Sequence, residues 1–271
     1  MKQSENTILI TGSGMGIGLL TAELLAKDGN DIIGVDLDSN LIKKTKEVVE
    51  ASGRKFYGFV CDISNSQDIE KLVKNLKKQK IKFQILINNA GIAPSGSFIE
   101  KDFFVWEKTI QINILGLVQL THSLLPFLIS ENKSSIINLA SIAGKFGSEG
   151  TAVYSATKHA VVGFSQALRM EFYDTNLAVS WICPSMVKTR MTEGVKPSIF
   201  TPIIEPIQVV NAIRKAILNN PGEVLVPGYL RFSVVHLPAL FPKFSLWLAV
   251  KTKASKGWLL ANKGLEKNIR V

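Results

Sequence analysis

The sequence predicts an α/β fold, a doubly wound parallel sheet of about seven strands with helices on both faces. Three observations carry this expectation. Short β-branched runs alternate with longer stretches of helical periodicity, the alternation of repeated βαβ units. The runs are apolar at nearly every position, as strands covered on both faces must be. A glycine-rich turn, "TGSGMGIG" at 11 to 18, joins the first such run to the first helical stretch.

The strands are read at 7–11 (TILIT), 31–36 (DIIGVD), 55–60 (KFYGFV), 83–88 (FQILIN), 135–140 (SIINLA), 178–183 (AVSWIC) and 223–227 (EVLVP). Helices fill the intervals at 16–28, 40–52 and 66–79, then as two helices within 102–130, a long one over 152–174 and one over 206–218. No internal repeat and no Pro/Gly-rich linker divides the chain. One domain is therefore expected over 1–230, including a substrate loop at 184–204, followed by an apolar and basic extension over 231–271.

At 271 residues the chain can bury an ample core without staples. Its two cysteines, Cys61 and Cys183, form no CxxC, and no histidine cluster suggests a metal site. The opening "MKQSENTILITG" lacks the basic and apolar regions of a secretory signal, so a cytoplasmic protein is expected. The net charge of +10 is lopsided: from Arg231 to Val271 eight basic residues face Glu266 alone, and the rest is nearly balanced. That distribution argues against a nucleic-acid partner and for a basic tail.

The glycine turn sits where an α/β sheet places a phosphate against backbone N–H groups at a helix N-terminus. Side chains there would obstruct it. The GxGxxG spacing is absent; the pattern present is TGxxxGxG, with Thr11, Gly12, Gly16 and Gly18. Asp36 ends the second strand, eighteen residues after Gly18, where a carboxylate can accept hydrogen bonds from an adenosine ribose. A 2′-phosphate would meet it as a like charge, and neither "SGM" nor "LDSN" holds an Arg or Lys, so NAD(H) is expected in preference to NADP(H).

With "TGSGMGIG", "CDIS" (61–64), "NNAG" (88–91), Asn113, Ser141, "YSATK" (154–158) and "PSMVKTRM" in this order, the chain resembles the short-chain dehydrogenase/reductase family over about residues 7 to 191. The resemblance implies a Rossmann-type domain, a nicotinamide cofactor at the strand carboxyl ends, and hydride transfer between an alcohol and a ketone. It implies cofactor contacts from Gly12, Ser13, Gly16, Ile17 and Gly18, with Asp62 and Ile63 at the adenine and Asn89 and Ala90 on the adenosine side. Gly91 would admit the cofactor, and Val187 and Thr189 would contact the carboxamide. Where the family pattern has glycine, Ser185 stands.

Tyr154 and Lys158, four apart, share one helix face. To act as a base, a phenol must drop about three pKa units, or about 4 kcal/mol. An ammonium at about 4 Å supplies roughly that at an effective dielectric of 20. Oxidised nicotinamide would add a second cation. By resemblance Lys158 also holds the nicotinamide ribose, Ser141 binds the substrate oxygen, and Asn113 holds a water that links the lysine to solvent. The catalytic set expected is Asn113, Ser141, Tyr154 and Lys158.

Rival readings are weaker. "GFSQA" (163–167) nearly matches GxSxG, but Ser165 falls inside the long helix instead of on a strand-to-helix turn. A non-catalytic dinucleotide sensor would have no need of all four catalytic residues. An NADPH-dependent 3-oxoacyl-thioester reductase is opposed by Asp36. The apolar character of 184–204 and 231–271 points to a lipophilic secondary alcohol or ketone. The extension, interrupted by Pro238, Pro242 and Lys243, is no membrane span; a peripheral membrane contact, a lid and a tail packed on the body or a partner subunit remain open. By resemblance, helices at 114–130 and 152–174 pair subunits into a homodimer or homotetramer.

Overall fold

The computed structural model describes residues 6–192 and 202–252, so the expected loop over 184–204 and tail over 231–271 lie partly outside the described residues. Seven parallel strands form the sheet in the order β3-β2-β1-β4-β5-β6-β9. They are β1 (Thr7–Thr11), β2 (Asp31–Asp36), β3 (Phe56–Val60), β4 (Ile85–Asn88), β5 (Ser134–Leu139), β6 (Leu177–Pro184) and, at the far edge, β9 (Glu223–Val226). Every strand expected from the sequence is present, with ends shifted by two residues at most.

The helices are α1 (Gly16–Lys27), α2 (Ser39–Glu50), α3 (Ser66–Lys78), α4 (Phe103–Ile110), α5 (Leu117–Ile129), α6 (Ala152–Glu171) and α7 (Pro206–Asn219). Strand side chains alternate between two faces. Ile8, Ile10, Ile85, Ile87 and Ile137 pack with α1 and α7 on one side, while Leu9, Leu86 and Ile136 pack with α3 and α5 on the other. This two-sided burial is why the strands read as unbroken apolar runs. Short polar side chains cap the helix starts: Asp38 accepts from Asn40 N, Asn65 from Gln67 N and Asp102 from Phe104 N.

Three features differ from the expectation. The two helices read within 102–130 are one continuous run, 103–129, because a π-helical turn (Gln111–Gly116) joins α4 to α5 where Gly116 packs on the Ile63 carbonyl; a Cβ there would lie 2.4 Å from that oxygen. A two-stranded parallel pair, β7 (Met186–Val187) with β8 (Ile203–Ile204), follows β6; two residues are too few to carry a periodic signal. Beyond β9 the chain forms a π-turn (Phe232–His236) and helices α8 (Leu237–Leu240) and α9 (Pro242–Lys251). Leu230 and Val234 are buried in a third apolar cluster with Trp181, Cys183 and Leu225, so the start of the extension is tied into the sheet edge.

The glycine turn is forced by contacts as much as by ligand space. Gly12 and Gly16 have φ of +62° and +53°, the left-handed region where a Cβ is strained. Gly18 sits in α1 directly beneath the turn, and a Cβ on it would fall 1.9 Å from the Gly12 carbonyl oxygen. Gly18→Ala is therefore expected to destabilise the protein by about 2 kcal/mol or more, whereas Gly163→Ala, in α6 with nothing within 4 Å of the added carbon, should be neutral or stabilise by up to about 1 kcal/mol. Thermal melts of the two variants beside the parent check this, and equal effects would refute the contact argument.

Candidate active site

A cavity of about 580 Å³ lies at the carboxyl ends of the strands, at the point where strand order reverses between β1 and β4. The strand ladder there ends with Ile10 opposite Ile87. Beyond it side chains take over. Asn89 Nδ2 donates to the carbonyls of Thr11 (2.9 Å) and Gly12 (3.0 Å), and Thr11 Oγ1 accepts from the backbone N–H of Asn89 and Ala90, each at 3.0 Å. The TG and NNAG motifs are thus two halves of one brace. The first asparagine of NNAG, Asn88, turns into the core, donating to Thr121 Oγ1 and Asn138 Oδ1.

Gly12, Gly16 and Ile17 line one end of the cavity together with Asp36, Asp62, Ile63, Asn89, Ala90 and Gly91. Asp36 is fixed from two sides, its carboxylate accepting from Gly14 N and Leu37 N at 2.8 Å each. A Cβ on Gly14 would lie 2.3 Å from Leu41 Cβ, which is why this position too must be glycine. Asp62 accepts from Ser64 N (2.8 Å) and Ser64 Oγ (2.6 Å) and lies 3.5 Å from Lys108 Nζ. Met15 and Leu37, exposed beside Asp36, also border the cavity; both are apolar and carried no signal of their own in the sequence.

Tyr154, Lys158 and Ser141 meet at the other end, with Val187 and Thr189 across from them. Ser141 follows β5; its Oγ accepts from Ala143 N (3.1 Å) and is hydrogen-bonded to Tyr154. Lys158 Nζ is 5.8 Å from the centre of the Tyr154 ring and donates to the Leu139 carbonyl at 2.7 Å. Burial pushes the phenol up to about 12, against the pull of Ser141 and with a push from the buried Cys183 thiol. Burial also brings the Lys158 ammonium down to about 8. The phenol's direction is opposite to the lowering expected for a base, because the lysine's hydrogen bond is directed to a carbonyl and desolvation dominates.

Three sequence-predicted residues do not border the cavity among the described residues. Ser13 is fully buried and bonds the Val35 carbonyl through its N–H, at 3.2 Å. Gly18 lies beneath the turn. Asn113, in the π-turn, accepts from Ile92 N (2.9 Å) and donates to Ile92 O (2.8 Å) and Thr157 Oγ1 (3.2 Å), so its amide anchors the segment after Gly91. Ser185 adopts no left-handed backbone; its hydroxyl donates to the Pro202 carbonyl at 2.7 Å. Ser165 is buried in α6, bonded to Asn138, far from any nucleophile elbow.

One ionic cluster had no sequence signal, since its members are distant in the chain. Glu223 of β9 pairs with Lys145, just after the 3₁₀ turn that follows Ser141, and with Arg231 at 3.1 Å, and accepts from Trp181 Nε1 at 3.0 Å. It joins the Ser141 loop to the start of the C-terminal segment. That segment forms part of the cavity wall, through Val234, Leu237 and Pro238 and through Ser245, Leu248 and Ala249 of α9.

The fold and crevice define a class, the α/β dinucleotide-dependent oxidoreductases. Residues 6–199 match the short chain dehydrogenase family. The chain is 33% identical over 223 residues to ketoacyl reductase HetN of a Nostoc species, covering 81% of this chain and 78% of that protein. It is 33% identical over 241 residues to 17-beta-hydroxysteroid dehydrogenase 13 of Rattus norvegicus, covering 88% and 79%. A variant of actinorhodin polyketide ketoreductase, crystallised with NADPH, superposes with a TM-score of 0.75 at 26% identity, over 85% of this chain and 98% of that one. The chain belongs to the short-chain dehydrogenase/reductase family, oxidoreductases that act on CH–OH groups with a nicotinamide dinucleotide.

The Lys158 shift from 10.5 to about 8 is a cost of folding of order 3 kcal/mol, present in full below about pH 8 and relieved as pH rises toward 10.5. Lys158→Met removes that cost and leaves the Leu139 carbonyl without its donor, a loss of about 1–2 kcal/mol. The variant is thus expected to melt higher than the parent at pH 7, with the gap closing by pH 10, while turnover falls. A lower melting temperature at pH 7 would contradict this account of the site.

Proposed function

We propose that the protein transfers a hydride between NAD(H) and a lipophilic secondary alcohol or ketone, with Tyr154 as general acid/base. The observation that carries the reading is the hydrogen bond between Tyr154 and Ser141 at the cavity wall, with the Lys158 ammonium alongside. The residues present fit a nicotinamide dinucleotide. Gly12 is a cradle in which a Cβ would crowd Ala90 at 3.0 Å, the N-terminus of α1 faces the cavity, and Asp36 stands at one end with Tyr154 at the other. When bound, the nicotinamide supplies the hydride acceptor or donor and, oxidised, a positive charge.

The Ser141 and Tyr154 hydroxyls, hydrogen-bonded to each other at the cavity wall, would together hold the substrate oxygen. In ketone reduction Tyr154, protonated at neutral pH, donates its proton to that oxygen as the carbinol forms. In alcohol oxidation it takes the proton back as the phenolate, a form that burial disfavours and the Ser141 hydrogen bond favours. The Asn113 side chain has both donors engaged, so a water linking Lys158 to solvent would be held by the backbone carbonyl in the π-turn. Val187 and Thr189 would hold the carboxamide, with Asp62 and Ile63 at the adenine.

NAD(H) is favoured because Asp36 is held in place and the segments beside it, Gly12–Ile17 and Leu37, carry no Lys or Arg to meet a 2′-phosphate. The apolar wall from Val234, Leu237, Leu248 and Ala249 favours a lipophilic substrate. A second reading, an NADPH-dependent 3-oxoacyl-thioester reductase, draws on the likeness to HetN and to the ketoreductase crystallised with NADPH. Exposed Ile129 on α5 and Met170 on α6 are consistent with subunit pairing through these helices in a homodimer or homotetramer.

Tyr154→Phe should lower turnover about 10²- to 10⁴-fold with NADH binding, read by cofactor fluorescence, unchanged. Because the phenol is shifted up, reduction should be flat near neutral pH while oxidation rises with pH. Initial rates with NADH should exceed those with NADPH, and Asp36→Ala should narrow the ratio at least about tenfold. An enzyme faster with NADPH on acyl-thioester ketones would establish the second reading instead.

A further inference from the structure

Helix α9 is apolar on both sides, yet among the described residues only one side is covered. Ser245, Leu248 and Ala249, spaced i, i+3, i+4, turn inward and line the cavity. On the outer side Phe244 is 50% and Trp247 54% exposed, continuous with Leu240 and Phe241 at the preceding turn and Val250 at the end. A helix apolar all round belongs in an interior, and a soluble surface rarely leaves so many large apolar side chains contiguous. Something covers this face.

The charge pattern says what. Between Glu223 and Glu266 there is no carboxylate, while Lys243 and Lys251 flank the exposed aromatics. Lys251 Nζ lies 5.5 Å from the Trp247 ring centre, and the Phe244 and Trp247 rings stack at 5.9 Å. Aromatic rings bordered by lysines are the composition of a helix lying in a lipid interface, where the rings enter the acyl boundary and the ammonium groups reach anionic headgroups. A second copy is a poor occupant, since a two-fold contact would set this basic face against itself.

We propose that the outer face of α8–α9, centred on Phe244 and Trp247, docks on an anionic lipid bilayer, with α9 a wall one helix thick between that bilayer and the cavity. The docking stands on this surface alone. Its consequence, that lipophilic substrate passes from the bilayer past α9 into the cavity, rests on the function proposed above.

The test is flotation of the full chain with vesicles of phosphatidylcholine alone and of three parts phosphatidylcholine to one part phosphatidylglycerol. Binding to the anionic vesicles, release by high salt, and quenching of tryptophan emission by brominated acyl chains are expected. The double variant Phe244→Ser/Trp247→Ser should cut partitioning at least about tenfold with unchanged melting and NADH binding. Should it fail to fold, Lys243→Glu/Lys251→Glu provides the second probe and should abolish the preference for anionic vesicles. No flotation, equal binding to both vesicles, variants that float like the parent, or a double variant that instead lowers the oligomer size in lipid-free sedimentation would overturn the proposal. Turnover of lipophilic alcohols without flotation refutes the docking and leaves the catalytic reading; flotation without turnover does the reverse.

Discussion

The parting of β1 and β4 at their carboxyl ends is the constraint on which the site depends. Parallel strands hold together through evenly spaced backbone bonds, and where they part those groups need other partners. Thr11 and Asn89 supply them, one hydroxyl accepting two N–H groups and one amide donating to two carbonyls. The chain can then leave β1 toward α1 and β4 toward α4 with the crevice held open between them. Gly12 must turn with positive φ at this point and Gly18 must pass under it, so the glycines are set by backbone crossing before any ligand is considered.

The opposite end of the crevice is built on a different principle, stored desolvation. Lys158 is buried and donates to the Leu139 carbonyl, and Tyr154 is buried with the Cys183 thiol acting on it. Burial moves both groups from their ordinary values, the phenol up and the ammonium down. Such an arrangement is unfavourable for the fold and useful for chemistry, because any charge that enters the cavity is felt at low dielectric. The cost is held by the surroundings: Asn138 and Ser165 tie β5 to α6, and Asn113 ties the segment after Gly91 to Thr157 of α6.

Most of the architecture was legible in the sequence because double burial writes long apolar runs, and because the motifs sit at strand ends where the topology gathers them. What escaped detection did so for physical reasons. Gly18 reads as a ligand contact, yet it clears the Gly12 carbonyl beneath the turn. Asn113 stood out as a buried polar residue, but its partners Ile92 and Thr157 are 21 and 44 residues away and leave no local trace. The phenol's upward shift could not be foreseen from spacing, since i and i+4 fix a shared face and say nothing of which acceptor the ammonium chooses. The Glu223 cluster joins residues up to 78 positions apart, and β7 and β8 are too short to show a period.

That cluster bears on how the two halves of the site are coupled. Glu223 holds Lys145 and Arg231 at once, and it is mostly withdrawn from solvent, so its pairs are screened less than surface ones. Lys145 ends the turn that places Ser141; Arg231 begins the segment whose later residues wall the cavity. The segment that walls the cavity and the loop that carries Ser141 are therefore tied to the same side chain.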